Sequence, residues 1–444
     1  IVIMIKKIKI YITLAAVAFS SVSCLDKYPE DAIPEGDAIR TVEEANQAVI
    51  GIYAYMKNPN LYSGLLTLLP DLQADLAYAV EGYTNTYGNI WRWDILPTNK
   101  EVEAVYGTLN ALIGKCNFLL ERIAVLEQEV DDEDYEKLQQ FKGEALFARA
   151  LSYSDLIKMY CKAYDPATAA DELGVVLVSS YSNAGTLKRA SLKDSYQFVL
   201  DDLAQSATCL KPDENENDES YYDTLYFTIY AVNALYARVY LNMQEWDKAI
   251  EYASKVIDSR KFKLSSTTEM IDSETSYYQY MWQYDHSTET IWKVGFTTTS
   301  YGGSLGQIFF NYDFNSFKPD YVPAEWVLNL YADTDLRATT FFQFYRTGYE
   351  HGLQWPLLAK YFGNQEFYEQ NILHVTMPKV FRLSEQYLIR AEAYCQKSNP
   401  EYGKGANDLT TLRQARYSNY GSASLTEENW FKEISEERVR ELYM

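Results

Sequence analysis

Residues 229–257 read IYAVNALYARVYLNMQEWDKAIEYASKVI, and this stretch decides the fold class. Apolar side chains recur every three or four positions on both sides of the connection QEWD at 244–247, which is typical of amphipathic helices. Because the connection is so short, the pattern predicts two antiparallel helices, 224–243 and 245–260. The facing stripes are Ile229, Val232, Tyr236, Val239, Tyr240 and Met243 on the first helix, and Ala249, Ile250, Ala253, Val256 and Ile257 on the second.

The alternation of small and bulky residues in this pair resembles a tetratricopeptide repeat. Ala237, Ala249 and Ala253 permit close helix approach, while Tyr240 and Trp246 fill the gaps between helices. A second pair of this kind is predicted over 383–416. The units do not follow one another at a fixed period, so the sequence does not predict a simple solenoid.

The rest of the chain predicts a mainly α-helical protein with one irregular region. The composition changes over 262–378, where Thr, Ser, Gly, Asn and aromatic residues prevail and only short helices such as 324–332 are expected. Residues 81–99 have a similar composition. Long irregular segments in a compact protein are usually functional surface. Strands are predicted at 175–179 and 290–297. The other predicted helices are 41–56, 101–128, 134–161, 191–210, 379–398, 404–417 and 426–444.

Composition excludes several classes of function. With 62 acidic and 40 basic residues the net charge is −22, which makes binding to nucleic acid or to an anionic lipid surface improbable. Three histidines leave little room for an imidazole-built metal centre, and the cysteines form no C-x-x-C pair. We therefore expect no metal and no cofactor. The 40 tyrosines are the outstanding feature, because an exposed phenol offers a flat apolar face with a polar rim.

The first residues have the pattern of an export signal. Lysines at 6, 7 and 9 precede an apolar stretch, 10–19, that is too short to span a bilayer, and small residues lead into Cys24. This resembles a bacterial lipoprotein signal, with 1–23 removed and Cys24 acylated; the alternative is an ordinary cleaved signal with a chance cysteine. The remaining chain, 24–444, is predicted to be one domain anchored only by lipid.

Several motifs occur in a characteristic order along the chain: FKGEALFARALSYSDL at 141–156, GVVLV at 174–178, FRLSEQYLIRAEAY at 381–394 and SEERVREL at 435–442, with 117–123, 234–241 and 335–337 falling in matching order. Together they resemble the SusD/RagB family of outer-membrane nutrient-binding lipoproteins of Bacteroidetes. The resemblance implies a SusD-like α-helical scaffold with four tetratricopeptide-like helix pairs, mainly 41–260 and 379–444, and a loop-rich, ligand-binding insert at about 262–378. It also implies a SusC-like TonB-dependent transporter as partner, and a glycan ligand that is captured without chemical change. The family continues with an aromatic, Gly/Arg-containing segment after the Glu/Arg helix, so we expect further C-terminal sequence.

A glycan presents apolar C–H faces ringed by hydroxyls, so its binding site needs exposed aromatic rings flanked by polar groups. Residues 83–94, YTNTYGNIWRWD, contain this mixture, and a second group lies in 277–284, 301 and 309–317. A third, weaker group lies at 345–361. The alternative to ligand contact for a large aromatic residue is burial in the core, and we expect burial for Trp282 and Phe309. The candidate ligand-binding residues are Tyr83, Tyr87, Trp91, Arg92, Trp93, Tyr284, Tyr301, Asn311 and Tyr312.

Three other functions remain open at this point. Residues 302–306, GGSLG, fit the G-x-S-x-G pattern of a serine hydrolase using Ser304, with Asp313 or Asp333 and His351 or His374 downstream. A nucleophile elbow needs a strand before the serine and a helix after it, and neither is predicted here, so we expect a binding protein and not an enzyme. The same aromatic loops could instead bind peptides or other nutrients, or the scaffold could bind only a partner protein.

Overall fold

The computed structural model describes residues 38–181, 187–210, 225–312, 314–349, 352 and 354–444. Cys24 and the predicted signal at 1–23 lie outside the described residues, as do Asp313 and His351. The helices are α1 (Val42–Tyr55), α2 (Leu65–Gln73), α3 (Gly88–Trp91), α4 (Lys100–Leu126), α5 (Asp132–Tyr160), α6 (Leu192–Cys209), α7 (Ile229–Asn242), α8 (Trp246–Asp258), α9 (Tyr277–Gln283), α10 (Gln307–Phe310), α11 (Glu325–Leu328), α12 (Arg337–Phe341), α13 (Gln365–Tyr368), α14 (Leu383–Gln396), α15 (Tyr402–Gln414) and α16 (Trp430–Leu442).

The strands are short and form two-stranded antiparallel sheets throughout the described part of the chain. They are β1 (Ala77–Ala79) with β5 (Tyr321–Pro323), β2 (Leu173–Val176) with β3 (Arg189–Ser191), β4 (Thr290–Lys293) with β8 (Lys379–Arg382), and β6 (Phe342–Gln343) with β7 (Leu357–Leu358). The first of these sheets joins the N-terminal helices to the loop-rich region, and it positions the site described below.

The helix pair α7–α8 forms as the sequence predicts. The Thr228 side chain caps α7 by accepting from the Ala231 backbone N–H, and Gln244 turns the chain with a φ of 62°. Between the helices, Ala237 and Ala249 are fully buried. Close approach of these small residues brings α14 against the same face, where Ile389 is also buried. The small residues thus permit the packing that the alternation predicted.

Within the described part of the chain the long helices pack against one another, which confirms the mainly α-helical prediction. The most extensive pairs are α4–α5, α5–α6, α7–α8, α8–α14 and α14–α15. Tyrosines fill the space between paired helices: Tyr153 is fully buried, and Tyr236 stacks on Tyr252 with ring centroids 4.2 Å apart. The tyrosines on helical stripes are therefore structural.

Three predicted elements need correction. Residues 379–398 were predicted as one helix, but the first four form β8, because they pair with β4 across the chain and a local pattern does not reveal a distant partner. Residues 81–99 are not wholly irregular, since they contain a 3₁₀ turn at Gly82–Thr84 and the short helix α3. The strand predicted at 290–297 ends at Lys293.

A buried charge network joins the loop-rich region to α16. Arg337 forms ion pairs with Asp335 at 2.7 Å and with Glu437 at 2.7 Å, and all three side chains are fully buried. Arg416 contacts Glu441 at 2.9 Å and Glu289 at 2.8 Å in the same interior. We call these residues the buried charge network: Glu289, Asp335, Arg337, Arg382, Arg413, Arg416, Glu437, Arg440 and Glu441.

Candidate functional site

Three tryptophans are held at the end of α2 and the start of β1 by their indole N–H groups. Trp93 donates to the Gln73 carbonyl, Trp326 to the Asp75 carbonyl and Trp91 to the Ala77 carbonyl, each at 2.9 Å. The three acceptors lie within five consecutive residues, so the three indoles surround one short segment. Bonding the polar edge of an indole fixes the ring and leaves its apolar face as the available surface.

Four of the rings in this place are largely exposed, and they lie close together. Tyr83 and Trp93 are each 65% exposed, Tyr78 60% and Trp326 45%, whereas Trp282 is only 6% exposed. Tyr78 lies on β1 between two buried alanines and meets Trp91 edge to face, with centroids 6.1 Å apart. Single exposed rings are common on proteins, but a contiguous group of exposed rings with polar neighbours is typical of an interaction site. We call Tyr78, Tyr83, Trp91, Arg92, Trp93 and Trp326 the aromatic surface.

The loop that carries this surface is hydrogen-bonded to the start of β5 and adopts uncommon backbone conformations. The Asn85 side chain accepts a hydrogen bond from the Glu81 backbone N–H and donates one to Asp320 at 3.0 Å. Tyr87 and Trp93 both have φ of 61°, in the left-handed region that non-glycine residues rarely adopt. Such conformations persist where the surrounding structure fixes them, and they are found at functional sites.

The polar groups around the rings are mainly acidic. Arg92 lies over the Tyr83 ring, 5.3 Å from its centroid, and is the exposed cation of the aromatic surface. Asp75, Glu81 and Asp94 are also exposed in these loops. An exposed cation–π contact contributes about 0.5–1 kcal/mol. The surface therefore combines apolar faces, one guanidinium and several carboxylates.

Tyr87 is placed differently from the other residues predicted in this loop. Its ring packs against two hydrophobic cores, one formed largely by the long helices and the other largely by residues of the loop-rich region. Burial raises the pKa of its phenol, and the nearby Glu101 and Asp320 raise it further. Tyr87 therefore supports the loop from beneath, whereas Tyr83 and Trp93 present their faces to solvent.

The second predicted group does not form one cluster. Tyr284 stacks on Tyr280, with centroids 4.8 Å apart, whereas Tyr312 stacks on Phe317 at 4.4 Å. Tyr301 is 45% exposed. No ring contact joins Tyr284, Tyr301 and Tyr312 within the described residues.

Asn311 also has a structural contact. It donates to the Lys318 carbonyl at 3.0 Å and accepts from Gln307 at 2.9 Å, so its amide holds the loop that follows α10. Trp282 and Phe309 are buried, as predicted. In the third group, Trp355 donates to the Pro323 carbonyl at 2.8 Å, beside the β1–β5 sheet.

The surroundings of Ser304 do not form a nucleophile elbow. No strand leads directly into it over residues 294–303, and the helix α10 that follows it has only four residues. Its hydroxyl has no hydrogen bond to a histidine or acid in the described part of the chain, and His374 instead contacts the Phe362 carbonyl through Nδ1. Nor do three or more His, Cys, Asp or Glu side chains gather as a metal site among the described residues.

A cavity of about 700 Å³ lies beside the aromatic surface, with Trp93 and Gln73 in its wall. Size alone makes it the first place to look for a ligand. Its walls combine apolar side chains with charged groups, several of which already pair with each other or with neighbours: Arg238 with Glu385 at 2.6 Å, and Lys379 with Asp285 at 2.6 Å. Paired charges suit a glycan less well than free ring faces do.

Sequence reasoning missed two members of the aromatic surface, Tyr78 and Trp326. The signal for Tyr78 was the triplet Ala77-Tyr78-Ala79, because strand alternation between two small buried residues turns the ring outward. Trp326 gave no local signal, since its acceptor lies 251 positions away along the chain.

Residues 25–241 match a SusD-like family model whose description is "Starch-binding associating with outer membrane". No curated protein sequence is significantly similar to the chain. Within the described residues, no helix combines the length and the apolar character needed to cross a membrane.

Solved structures with the same fold cover most of the chain. A SusD superfamily protein from Bacteroides thetaiotaomicron VPI-5482 is 22% identical, with a TM-score of 0.74 over 90% of this chain and 86% of that one. A SusD-like carbohydrate binding protein from Bacteroides vulgatus ATCC 8482 is 18% identical, with a TM-score of 0.73 over 91% and 81%. Surface glycan-binding protein A from Bacteroides uniformis is 17% identical, with a TM-score of 0.69 over 90% and 86%.

Proposed function

Because the chain belongs to the SusD-like family, we propose that it captures an oligosaccharide at the aromatic surface and releases it chemically unchanged. One observation carries the proposal: Trp91, Trp93 and Trp326 have their N–H groups bonded within one five-residue segment, with the Trp93 and Trp326 faces exposed. Sugar rings stack their C–H faces on such platforms. The glycan-binding descriptions of two structural relatives agree with this ligand class.

The charge around the aromatic surface favours a neutral glycan. Asp75, Glu81 and Asp94 are exposed near the rings, and Arg92 is the cation that faces them. The whole chain adds a net charge of −22. Carboxylate or sulfate groups on a ligand would meet like charge at this surface, which raises the cost of binding and slows encounter.

The proposed place of action is the outer surface of the outer membrane, beside a SusC-like TonB-dependent transporter that receives the glycan. The family description of outer-membrane association supports this, and the proposed anchor is a lipid on Cys24. Replacing Cys24 with Ala is expected to release the protein from membranes into the soluble fraction. Continued membrane association of Cys24→Ala would contradict a lipid-only anchor.

The decisive experiment is calorimetric titration with a panel of neutral oligosaccharides. We expect Trp93→Ala to lower affinity about tenfold, because a stacking contact with an indole contributes up to about 1.5 kcal/mol beyond the area that it buries. Phe431→Ala is the matched control, since Phe431 is 67% exposed on α16 and lies outside the aromatic surface. Equal affinities for wild type and Trp93→Ala would contradict this site.

The same samples separate the remaining alternatives. Incubation with the bound oligosaccharide is expected to release no new reducing ends, and any release would overturn the non-catalytic proposal. A peptide pull-down beside the glycan titration tests the other ligand class, and selective peptide capture would replace the glycan. Ser304→Ala is expected to change neither result, because Ser304 lacks a catalytic partner among the described residues.

A further inference from the structure

A separate pocket of about 190 Å³ lies where three segments of the loop-rich region meet. Helix α9 contributes Gln279 and Gln283, β6 contributes Gln343, and the start of α13 contributes Gln365. Four side-chain amides in one small pocket are a concentrated set of donors and acceptors. None of these residues belongs to the aromatic surface.

Each of the four amides keeps at least its NH₂ group available to donate a hydrogen bond to a ligand. The Gln279 oxygen accepts from the Ser276 backbone N–H at 2.9 Å, and the Gln343 oxygen accepts from the Tyr345 hydroxyl at 3.0 Å. Because each oxygen is already used, each NH₂ group remains to donate. The side chains of Gln283 and Gln365 have no hydrogen bond within the described residues, so their amides can donate or accept.

The walls of the pocket include aromatic rings. Tyr345 and Phe362 lie nearly parallel, with 12° between their planes and centroids 5.9 Å apart. Lys360 is the charged residue among the lining residues, and its ammonium group already donates to the backbone carbonyls of Tyr443 and Met444. The pocket is therefore lined mainly by polar groups, with a smaller share of ring surface and without a free charge.

We infer that this pocket, which we call the amide pocket, binds a single neutral sugar residue as a second saccharide site. Amide donors suit the hydroxyl and ring oxygens of a pyranose, and the smaller share of ring surface can contact its C–H groups. Its volume of about 190 Å³ is below the range of about 300–1,000 Å³ that is common for drug-sized ligands, which favours one sugar over a chain. The inference extends the proposed function by a second site and does not need the aromatic surface.

The test is saturation-transfer NMR with the neutral methyl glycosides of glucose, galactose, mannose and xylose. We expect at least one glycoside to give a signal with the wild type, and we expect Gln283→Ala/Gln365→Ala to reduce it at least fivefold. Gln197→Ala is the matched control, because Gln197 is an exposed amide on α6 away from the pocket. Thermal unfolding of each variant checks that it folds.

A second variant keeps the test decisive if the double variant does not fold. Gln343 is exposed, so Gln343→Trp can fill the pocket from its rim and is expected to abolish the signal. Trp93→Ala is expected to retain the monosaccharide signal while losing the longer oligosaccharide. An unchanged signal in the pocket variants, loss in Trp93→Ala, or no signal from any glycoside would overturn the amide pocket. These outcomes differ from failure of the proposed function, which is absence of oligosaccharide binding by the wild type.

Discussion

The buried charge network and the aromatic surface both use residues of the loop-rich region, but they treat their polar groups in opposite ways. In the network, Arg337 is fully buried and ion-paired on three sides. At the aromatic surface, Trp326 bonds its single N–H and leaves its ring 45% exposed. The first arrangement leaves no polar group available to a ligand. The second leaves an apolar ring face in water, which only a bound partner can cover. Stability and binding are thus expected to respond to different substitutions.

The largest expected effect is the loss of stability when the network loses one cation. Arg416→Met leaves the carboxylates of Glu289 and Glu441 buried with fewer partners. Breaking a buried ion pair in this way costs about 3–5 kcal/mol. Urea unfolding measures the free energy, and calorimetric titration of the folded fraction is expected to show unchanged glycan affinity.

The control for that substitution is an exposed ion pair. Lys137 contacts Glu133 at 3.0 Å on the surface of α5, so Lys137→Met is expected to change the unfolding free energy by at most about 1 kcal/mol. Similar losses in Lys137→Met and Arg416→Met would show that burial of the network is not what stabilises this region.

The next effect is an acid-induced loss of stability. Burial alone would raise the pKa of Glu437, but Arg337, Arg440 and Arg413 outweigh it and lower the pKa to about 2. A carboxyl with a pKa below its unfolded value of about 4.5 stabilises the fold above pH 4.5, and this contribution disappears as the pH falls towards 2. We expect on the order of 3 kcal/mol to be lost across that window.

Thermal unfolding at a series of pH values measures this contribution. Glu437→Gln is expected to be less stable than the wild type at neutral pH and to lose less stability between pH 4.5 and 2. Parallel pH profiles for the two proteins would contradict the role of this carboxylate. Neither profile is expected to depend on glycan, because Glu437 is fully buried.

The helical scaffold was predictable because its evidence is local. The spacing within 229–257 is enough to predict α7 and α8, since a helix repeats every 3.6 residues. β8 was missed because a strand is defined by its partner, and β4 lies far away in the sequence. The Glu/Arg motif at 435–442 was recognised by resemblance, but the pairing of Glu437 and Glu441 with distant arginines was not predictable from it.

The candidate site divides in the same way. Tyr83, Trp91, Arg92 and Trp93 could be proposed as candidates because they lie together in one polar loop. Trp326 was missed because β1–β5 pairing is what brings its part of the chain to the loop. A single sequence shows which rings are numerous and which lie off helical stripes, whereas folding decides which of them remain exposed.

A substitution at Trp326 tests whether the aromatic surface, unlike the buried charge network, contributes to binding and not to stability. Trp326→Ala is expected to lower glycan affinity about fivefold, since removing a partly exposed ring forfeits about 1 kcal/mol of stacking. Its unfolding free energy is expected to change little, because the ring faces solvent. Calorimetric titration and urea unfolding measure the two quantities, with Phe431→Ala as control; loss of stability without loss of affinity would place Trp326 with the structural residues.

The smallest expected effect concerns the single cation at the aromatic surface. Arg92 contacts the Tyr83 ring at 5.3 Å, and an exposed contact of this kind contributes about 0.5–1 kcal/mol. Arg92→Gln is therefore expected to lower affinity for a neutral oligosaccharide by no more than about two- to fivefold, with little dependence on salt. Arg92→Lys separates charge from the planar guanidinium, which stacks on a ring more effectively than an ammonium group. A much larger loss in Arg92→Gln than in Arg92→Lys, growing at low salt, would mean that the surface selects an anionic ligand, because only charge pairing responds in that way.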